Sequence, residues 1–464
     1  MKQKIIGALA MLMATTWAGQ AVGSPAEHLA QALTYRTISH QDRALIDYGE
    51  LEKLRAFLRA TYPRVFAELE VELVADHSLL LQWPGTDPEA QPILFIGHMD
   101  VVPVEPGTEG DWEHPPYGGV ISEGKIYGRG TLDDKQGVIG LLEAAEQLLA
   151  EGFQPRRGIV LAFGHDEEIS GREGAVAIAA RMRELGLHFA WMVDEGGVII
   201  SDNSLLPDRP MAMINVAEKS YLTLTLTATG PGGHSSRPPA VSTIGRLSAA
   251  LAKIEANPFE PRLVGPVAAM LEALAPYSPQ PNRFAMANQW LTGGLLASQM
   301  AADPEQSSFV RTTTALTMFN AGVKENVVPQ QAQAKVNFRL LPGDTTEGVI
   351  SYIETLIDDS AIEITHEDWA VAPPVADYSG GGYAVISEAV KAVYPEALVV
   401  PSLLAGATDS RHFATEADNH YRFHGVVMTT EQAGSVHGTN EFISVESFEK
   451  SIEIAEQMMR LGSN

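Results

Sequence analysis

The 464-residue chain contains no cysteine. That absence excludes disulfides, thiolate-bound zinc, iron–sulfur clusters and a cysteine nucleophile, so any metal must be held by histidine and carboxylate. Positive charge is also scarce: 32 lysines and arginines face 58 aspartates and glutamates, a formal net charge of −26. Such a polyanion repels nucleic acid and anionic lipid, and neither is expected as a partner. Long apolar runs are lacking too. The run from Ile5 to Met13 falls short of the roughly 18 residues that a membrane span needs. It follows Lys2 and Lys4 and leads into small and polar residues ending Ala21-Val22-Gly23. This pattern reads as a signal peptide over residues 1–23, cleaved after Ala21 or Gly23. The mature protein is then expected to be secreted and free of the membrane, and periplasmic if the host is a diderm bacterium.

What is present is a globular composition, 45% hydrophobic and 19% charged, in a chain long enough for two or three domains. Pro92-Ile-Leu-Phe-Ile96, Gly158-Ile-Val-Leu-Ala-Phe163 and Phe189-Ala-Trp-Met-Val193 are short, continuous apolar runs, and Val138 to Leu149 has helical spacing. Apolar strands alternating with helices predict a mostly parallel sheet covered on both faces. From Tyr221 to Thr227 the pattern changes to period 2, and it does so again from Ala332 to Leu341. With a helical stretch at 347–357 and a strand at 361–365, this describes a small α+β domain with one sheet face exposed. The proline-rich stretch from Pro258 to Pro281 has no usable periodicity. From about Val371 the α/β pattern resumes. The expected fold class is therefore α/β: a discontinuous domain, 24–217 and 368–464, with an α+β domain, 218–367, inserted into it.

Each of the three apolar runs ends in groups that can carry chemistry. His98 and Asp100 follow the first, Glu167 and Glu168 the second, and Asp194 the third. Open parallel sheets place their ligands at these carboxyl ends. Asp133 and Asp134 lie in a glycine-rich loop leading into a helix, and His437 lies in a turn near the C-terminus. Taken singly, each of these is more often a loop cap or a solvated surface group than a ligand. Together, histidines and carboxylates without cysteine suit two co-catalytic divalent ions, most naturally zinc.

The motifs are Gly97-His-Met-Asp-Val-Val-Pro103, Gly128-Arg-Gly-Thr-Leu-Asp-Asp-Lys135, Phe163-Gly-His-Asp-Glu-Glu168, Asp194-Glu-Gly-Gly197, Gly232-Gly-His-Ser-Ser236 and His437-Gly-Thr-Asn-Glu441. In this order, over nearly the whole mature chain, they resemble the M20 family of metallopeptidases. Arg311-Thr-Thr-Thr-Ala-Leu-Thr317 and Asn337-Phe-Arg-Leu-Leu-Pro-Gly-Asp344 make the resemblance closest to the Gly-X carboxypeptidase and N-acyl-amino-acid hydrolase branch. The resemblance implies a di-zinc exopeptidase fold with an inserted lid domain. It implies that His98 and Asp194 bind one Zn2+, Glu168 and His437 the other, and Asp133 bridges them, with Co2+ or Mn2+ as substitutes. Asp134 is the competing neighbour, and the spacing to Lys135 favours Asp133.

By the same resemblance Glu167 is the general base, Asp100 orients His98, and His234 is a lid histidine that polarises the scissile carbonyl, often from the other subunit of a dimer. Arg339 and Asn326 would hold the substrate's carboxylate or carbonyl, and Thr408 and Arg411 lie in a further substrate-side loop. The implied substrate is a peptide or an N-acyl amino acid, cleaved next to a C-terminal residue, and the implied assembly is a homodimer through the inserted domain. A non-catalytic receptor on the same scaffold would be expected to have lost Glu167 or a ligand, and neither is lost.

Overall fold

A computed structural model of the protein describes residues 23–203, 205–367 and 371–464. The proposed signal segment falls outside these, except for Gly23. The three apolar runs become adjacent parallel strands, Ile159–Gly164, Ile93–His98 and Trp191–Asp194, in that spatial order. Every residue in them is buried, as strands covered on both faces require. Among the described residues their sheet has ten strands. Antiparallel strands Glu70–Val74 and Ser78–Trp83 extend one edge, and His420–Arg422, Met211–Glu218 and Leu398–Leu404 continue the other side.

Register brings the chemistry together. His98 is level with Gly164, so the turn that starts at His165 leaves the sheet beside it. The helices Lys135–Ala150 and Val445–Gly462 cover one face. Leu142 and Phe448 there are fully buried, each worth about 1.5–3 kcal/mol of apolar burial. Lys135 starts its helix inside the protein. Its ammonium donates to the carbonyls of Ala32 (3.1 Å) and Tyr35 (2.5 Å), tying the end of the helix Pro25–Leu33 to the Asp133 loop.

A separate antiparallel sheet holds Thr313–Ala321, Gln331–Leu340, Ser220–Thr229 and Ile362–His366, in that order. Leu222, Leu224 and Leu226 alternate inward and meet Val336, Phe338 and residues of the helices Thr243–Ala256 and Thr346–Ile357. The period-2 pattern thus becomes a sheet covered on one face.

The span 218–367 is not a single packing unit. Its helices Gly265–Leu274 and Gln289–Ala301 bury Val267, Leu271, Leu274 and Leu296 against Met211, Val400 and Leu403 of the large sheet. The prolines that obscure this stretch open helices or lie between them, as Pro266 does in the first turn of its helix.

Candidate metal centre

His98 is fixed by its neighbours before any ion is considered. Its backbone N–H donates to Asp134 Oδ2 (3.1 Å). Asp134 approaches this closely because residue 97 is glycine: a Cβ there would lie 2.6 Å from that oxygen. On the ring, Nδ1 stands 3.2 Å from Asp100 Oδ1 and 3.1 Å from the Asp100 carbonyl. Nε2 is left facing Asp133 Oδ1 at 2.9 Å and Glu195 Oε1 at 3.5 Å. Asp100 also accepts from Ser39 Oγ (2.6 Å) and from the backbone N–H groups of Glu167 and Glu168 (both 3.2 Å). One carboxylate therefore sets the imidazole tautomer and seats the acidic turn.

Asp133 lies between two imidazoles, with Oδ2 2.9 Å from His437 Nε2. Glu168 Oε2 is 3.3 Å from the same nitrogen, and its Oε1 is buried with no hydrogen-bond partner. Two groups result, His98–Asp133–Glu195 and Asp133–Glu168–His437, each with its ligand atoms within 4.8 Å of one another and Asp133 common to both. A divalent ion in the second group would give the Glu168 oxygen the partner it lacks. The donor set fits a pair of metal ions.

Asp194 is not in either group. Its Oδ2 accepts from Ser410 N (2.8 Å) and its Oδ1 from Glu195 N (2.9 Å). Of the two adjacent acids, it is Glu195 that faces His98 Nε2 (3.5 Å), at the position the sequence reading gave to Asp194. Glu195 lies one residue beyond the strand Trp191–Asp194, and there its side chain turns toward His98. Asp134 likewise turns away, with Oδ1 3.1 Å from His424 Nε2.

His437 sits at the edge, half-exposed, with φ +63. A non-glycine residue in this region is strained and needs outside support. Arg129 supplies it. Its Nη2 donates to the carbonyls of His437 and Gly438 (both 3.0 Å), and its Nη1 donates to Glu441 Oε2 (2.5 Å). Glu441 then accepts from the N–H groups of Gly130 and Leu132 (3.1 and 2.8 Å), so one buried ion pair joins the turn of His437 to the loop of Asp133.

Electrostatics follow from this crowding. Burial works against a charged His98 ring, but Asp100, Asp133 and Glu195 outweigh it and raise its pKa well above the ordinary value. Bonds to Asp133 and Glu168 push His437 up to about 10. Burial, then the charge of Asp409, raises Glu167 well above the usual carboxylate range. Glu167 is in neither ligand group, and it lines a cleft of about 350 Å3 together with Asp133, Glu168, Glu195 and His437.

The substrate-side candidates separate into two sets. Arg411 Nη1 lies 4.0 Å from Glu167 Oε1. Arg339 stacks over Tyr221 (4.6 Å) and feels the charges of Arg411, Glu218 and Glu167. Thr408 lines the cleft with its hydroxyl committed, bonded to Glu218 Oε2 and Ser410 Oγ (3.3 and 2.8 Å). His234 and Asn326 are elsewhere, exposed at a two-stranded ribbon where His234 is paired with Val327 and Ser235 N donates to the Asn326 carbonyl (3.1 Å). Neither lines the cleft.

Sequence reasoning missed Glu195, the Arg129–Glu441 pair and the buried Arg422–Glu218 pair (3.3 Å). Arg422 also donates to Ser410 Oγ (3.0 and 2.7 Å) and so anchors the 406–411 loop. Glu195, Arg129 and Glu441 all lie within the motifs quoted above, whereas Arg422 follows no pattern that periodicity or spacing would flag.

Residues 94–461 match the model of Peptidase family M20/M25/M40. The chain is 35% identical over 439 residues to "Probable carboxypeptidase S-like 2" of Dictyostelium discoideum, covering 92% of this chain and 83% of that one. It is 38% identical over 416 residues to an N-fatty-acyl-amino acid synthase/hydrolase of Danio rerio, covering 88% and 80%. Its fold is similar to that of an M20 family metallo-carboxypeptidase from Sulfolobus solfataricus, with TM-score 0.69, 18% identity and coverage of 95% and 99%. A dinuclear metal binding peptidase of the M20 family from Bacillus subtilis is also similar, with TM-score 0.58, 12% identity and coverage of 94% and 97%.

Proposed function

Because the chain belongs to that peptidase family, we propose that it is a secreted di-zinc hydrolase that cleaves the amide bond next to a C-terminal amino acid. Family membership makes it a metal-dependent hydrolase with carboxypeptidase and acyl-amino-acid hydrolase relatives. The reading beyond that rests on one observation: Asp133 offers one oxygen to each of two imidazoles, with Glu167 beside it on the cleft. One ion would be held by His98, Asp133 and Glu195, the other by Asp133, Glu168 and His437. Such ions supply Lewis acidity toward the scissile carbonyl and acidify water toward neutral pH.

The chain's own residues supply the rest. Glu167, held in an apolar and acidic setting that favours a proton, takes one from the attacking water and returns it to the leaving nitrogen. The new C–O bond replaces the C–N bond, giving a carboxylate and an amine. Arg411, 4.0 Å from Glu167, and Arg339, which feels the charges of both, suit the substrate's terminal carboxylate, since the guanidinium fork pairs with both oxygens. His234 would reach the carbonyl oxygen from the lid of a second subunit. A homodimer is supported by the edge strand Thr313–Ala321, which exposes Leu316, Met318 and Phe319. Export is supported by the N-terminal sequence pattern alone.

A second reading, an N-acyl-amino-acid amidohydrolase, is favoured by the apolar residues of the cleft. The bond broken is the same. A panel of dipeptides and N-acyl amino acids with product detection tests both. Release of free C-terminal amino acid, abolished by chelation and restored by zinc, is expected. No release from any member by the zinc-loaded protein would overturn the proposal.

A further inference from the structure

We propose that Tyr221 is a positioning residue for substrate selection: its ring holds the Arg339 guanidinium toward the cleft and so sets the preference for a free C-terminal carboxylate over an uncharged terminus. The proposal rests on the amide-hydrolase reading above, with Arg339 as a partner of that carboxylate.

Register places the two side chains together. Tyr221 and Arg339 are directly opposite in the antiparallel pair Ser220–Thr229 and Gln331–Leu340, and Thr313 of the edge strand is opposite Arg339 on its other side. Directly opposed residues share a face of the sheet. Leu222 and Phe338, one step along, enter the lid core, so the row Thr313–Arg339–Tyr221 takes the uncovered face. Groups of the large domain act on it there: Arg339 feels the charges of Glu218, Glu167 and Arg411.

Arg339 needs a holder in that place. Burial and then the like charge of Arg411 oppose its guanidinium and hold its pKa below the ordinary value. Arginine keeps its proton all the same, so the relief open to it is to swing its head out toward water. Among the described residues no carboxylate is paired with it. Of its two cross-strand neighbours, Thr313 has its hydroxyl engaged by Lys219 Nζ (3.3 Å). Tyr221 offers the attraction: the guanidinium carbon lies 4.6 Å from the ring centroid, a cation–π contact. The ring is itself tied to the substrate side. Just before it the chain leaves the large sheet at Glu218, which accepts from Thr408 N (3.0 Å) in the loop that carries Arg411.

The test uses the zinc-loaded protein with N-acetyl-methionine and with the same compound carrying a terminal amide in place of the carboxylate. A cation–π contact is worth about 2- to 30-fold in an equilibrium constant, the larger figure applying to desolvated pairs. Tyr221→Leu should therefore raise KM for the acid by about 2- to 30-fold with kcat little changed, and lower the acid-to-amide ratio of kcat/KM by the same factor. Tyr221 borders a cavity of about 320 Å3, so the smaller side chain is accommodated. Tyr221→Phe keeps the ring and should match the parent. Arg339→Met should abolish the preference, and adding Tyr221→Leu to it should change nothing more, whereas a merely structural role would add its own loss. Zinc content equal to the parent's shows that each variant keeps the metal centre. Three results would overturn the role of Tyr221 while Arg339 stands: a KM within about twofold of the parent's in Tyr221→Leu, equal losses in Tyr221→Leu and Tyr221→Phe, or additive losses in the double variant. An undiminished preference for the acid in Arg339→Met would overturn the carboxylate role of Arg339 and the proposal with it. No hydrolysis of either compound by the parent would instead overturn the hydrolase reading.

Discussion

Replacing Asp194 and Glu195 one at a time separates the two roles that neighbouring acids play at the end of the strand Trp191–Asp194. Glu195 Oε1 faces His98 Nε2, whereas Asp194 accepts from Ser410 N and Glu195 N. Glu195→Gln should therefore release the ion at its site, taking metal content from two per chain to about one, with little change in the 406–411 loop. Asp194→Ala should keep both ions but leave two backbone N–H groups unsatisfied. At about 1–3 kcal/mol each, the cost is about 2–6 kcal/mol of stability, and Asp194→Asn, which keeps one acceptor, should lose about half of that. Ser410 also receives Arg422, so loss of its anchor should loosen Arg411 and weaken substrate binding. Urea unfolding measures the stability loss and elemental analysis the metal content. An Asp194→Asn protein that has lost a metal, beside a Glu195→Gln protein that retains two, would refute the reasoning.

Three further outcomes are expected. Glu167→Gln should retain its metals and lose about 10²–10⁴ in turnover; activity within tenfold of the parent would remove Glu167 from the general-base role. His234→Ala should likewise retain both metals and lose about 10²–10³ in kcat. If the histidine acts across a dimer, mixing these chains with Glu167→Gln chains restores part of the activity, and no recovery after confirmed subunit exchange excludes that arrangement. In the metal-free protein His437 is raised to about 10 by Asp133 and Glu168, so its contribution to stability is complete below its ordinary value near 6.5 and is lost as pH rises through about 10. A metal displaces that proton, so metal affinity should climb across the same window; a competition titration with a flat pH dependence would contradict this.

Much of the fold was legible because it is written in patterns that backbone geometry enforces. Continuous apolar runs became central parallel strands, and the alternation at Tyr221–Thr227 became a one-sided sheet. Strand-end placement pointed to His98 and Glu168, the resemblance added Asp133 and His437, and the structure brings these four together. Three things were not legible. The sequence Asp194-Glu195 presents two equivalent acids, and only the direction in which each side chain leaves the strand separates them. The helices between residues 265 and 310 carry apolar faces whose partner, Met211, Val400 and Leu403, lies far away in sequence. Arg422 and Glu218 form a buried pair, 204 positions apart, that no local spacing announces.

The central claim is that two metal ions share Asp133 in a cleft whose base is Glu167. A crystal structure of the zinc-loaded protein with an anomalous-difference map at the zinc edge tests it most directly. The account predicts two peaks about 3.5–4 Å apart, the separation of co-catalytic pairs, one reached by His98, Asp133 and Glu195 and the other by Asp133, Glu168 and His437. A single peak, or a pair bridged by Asp134 with Asp194 as a ligand, would contradict it.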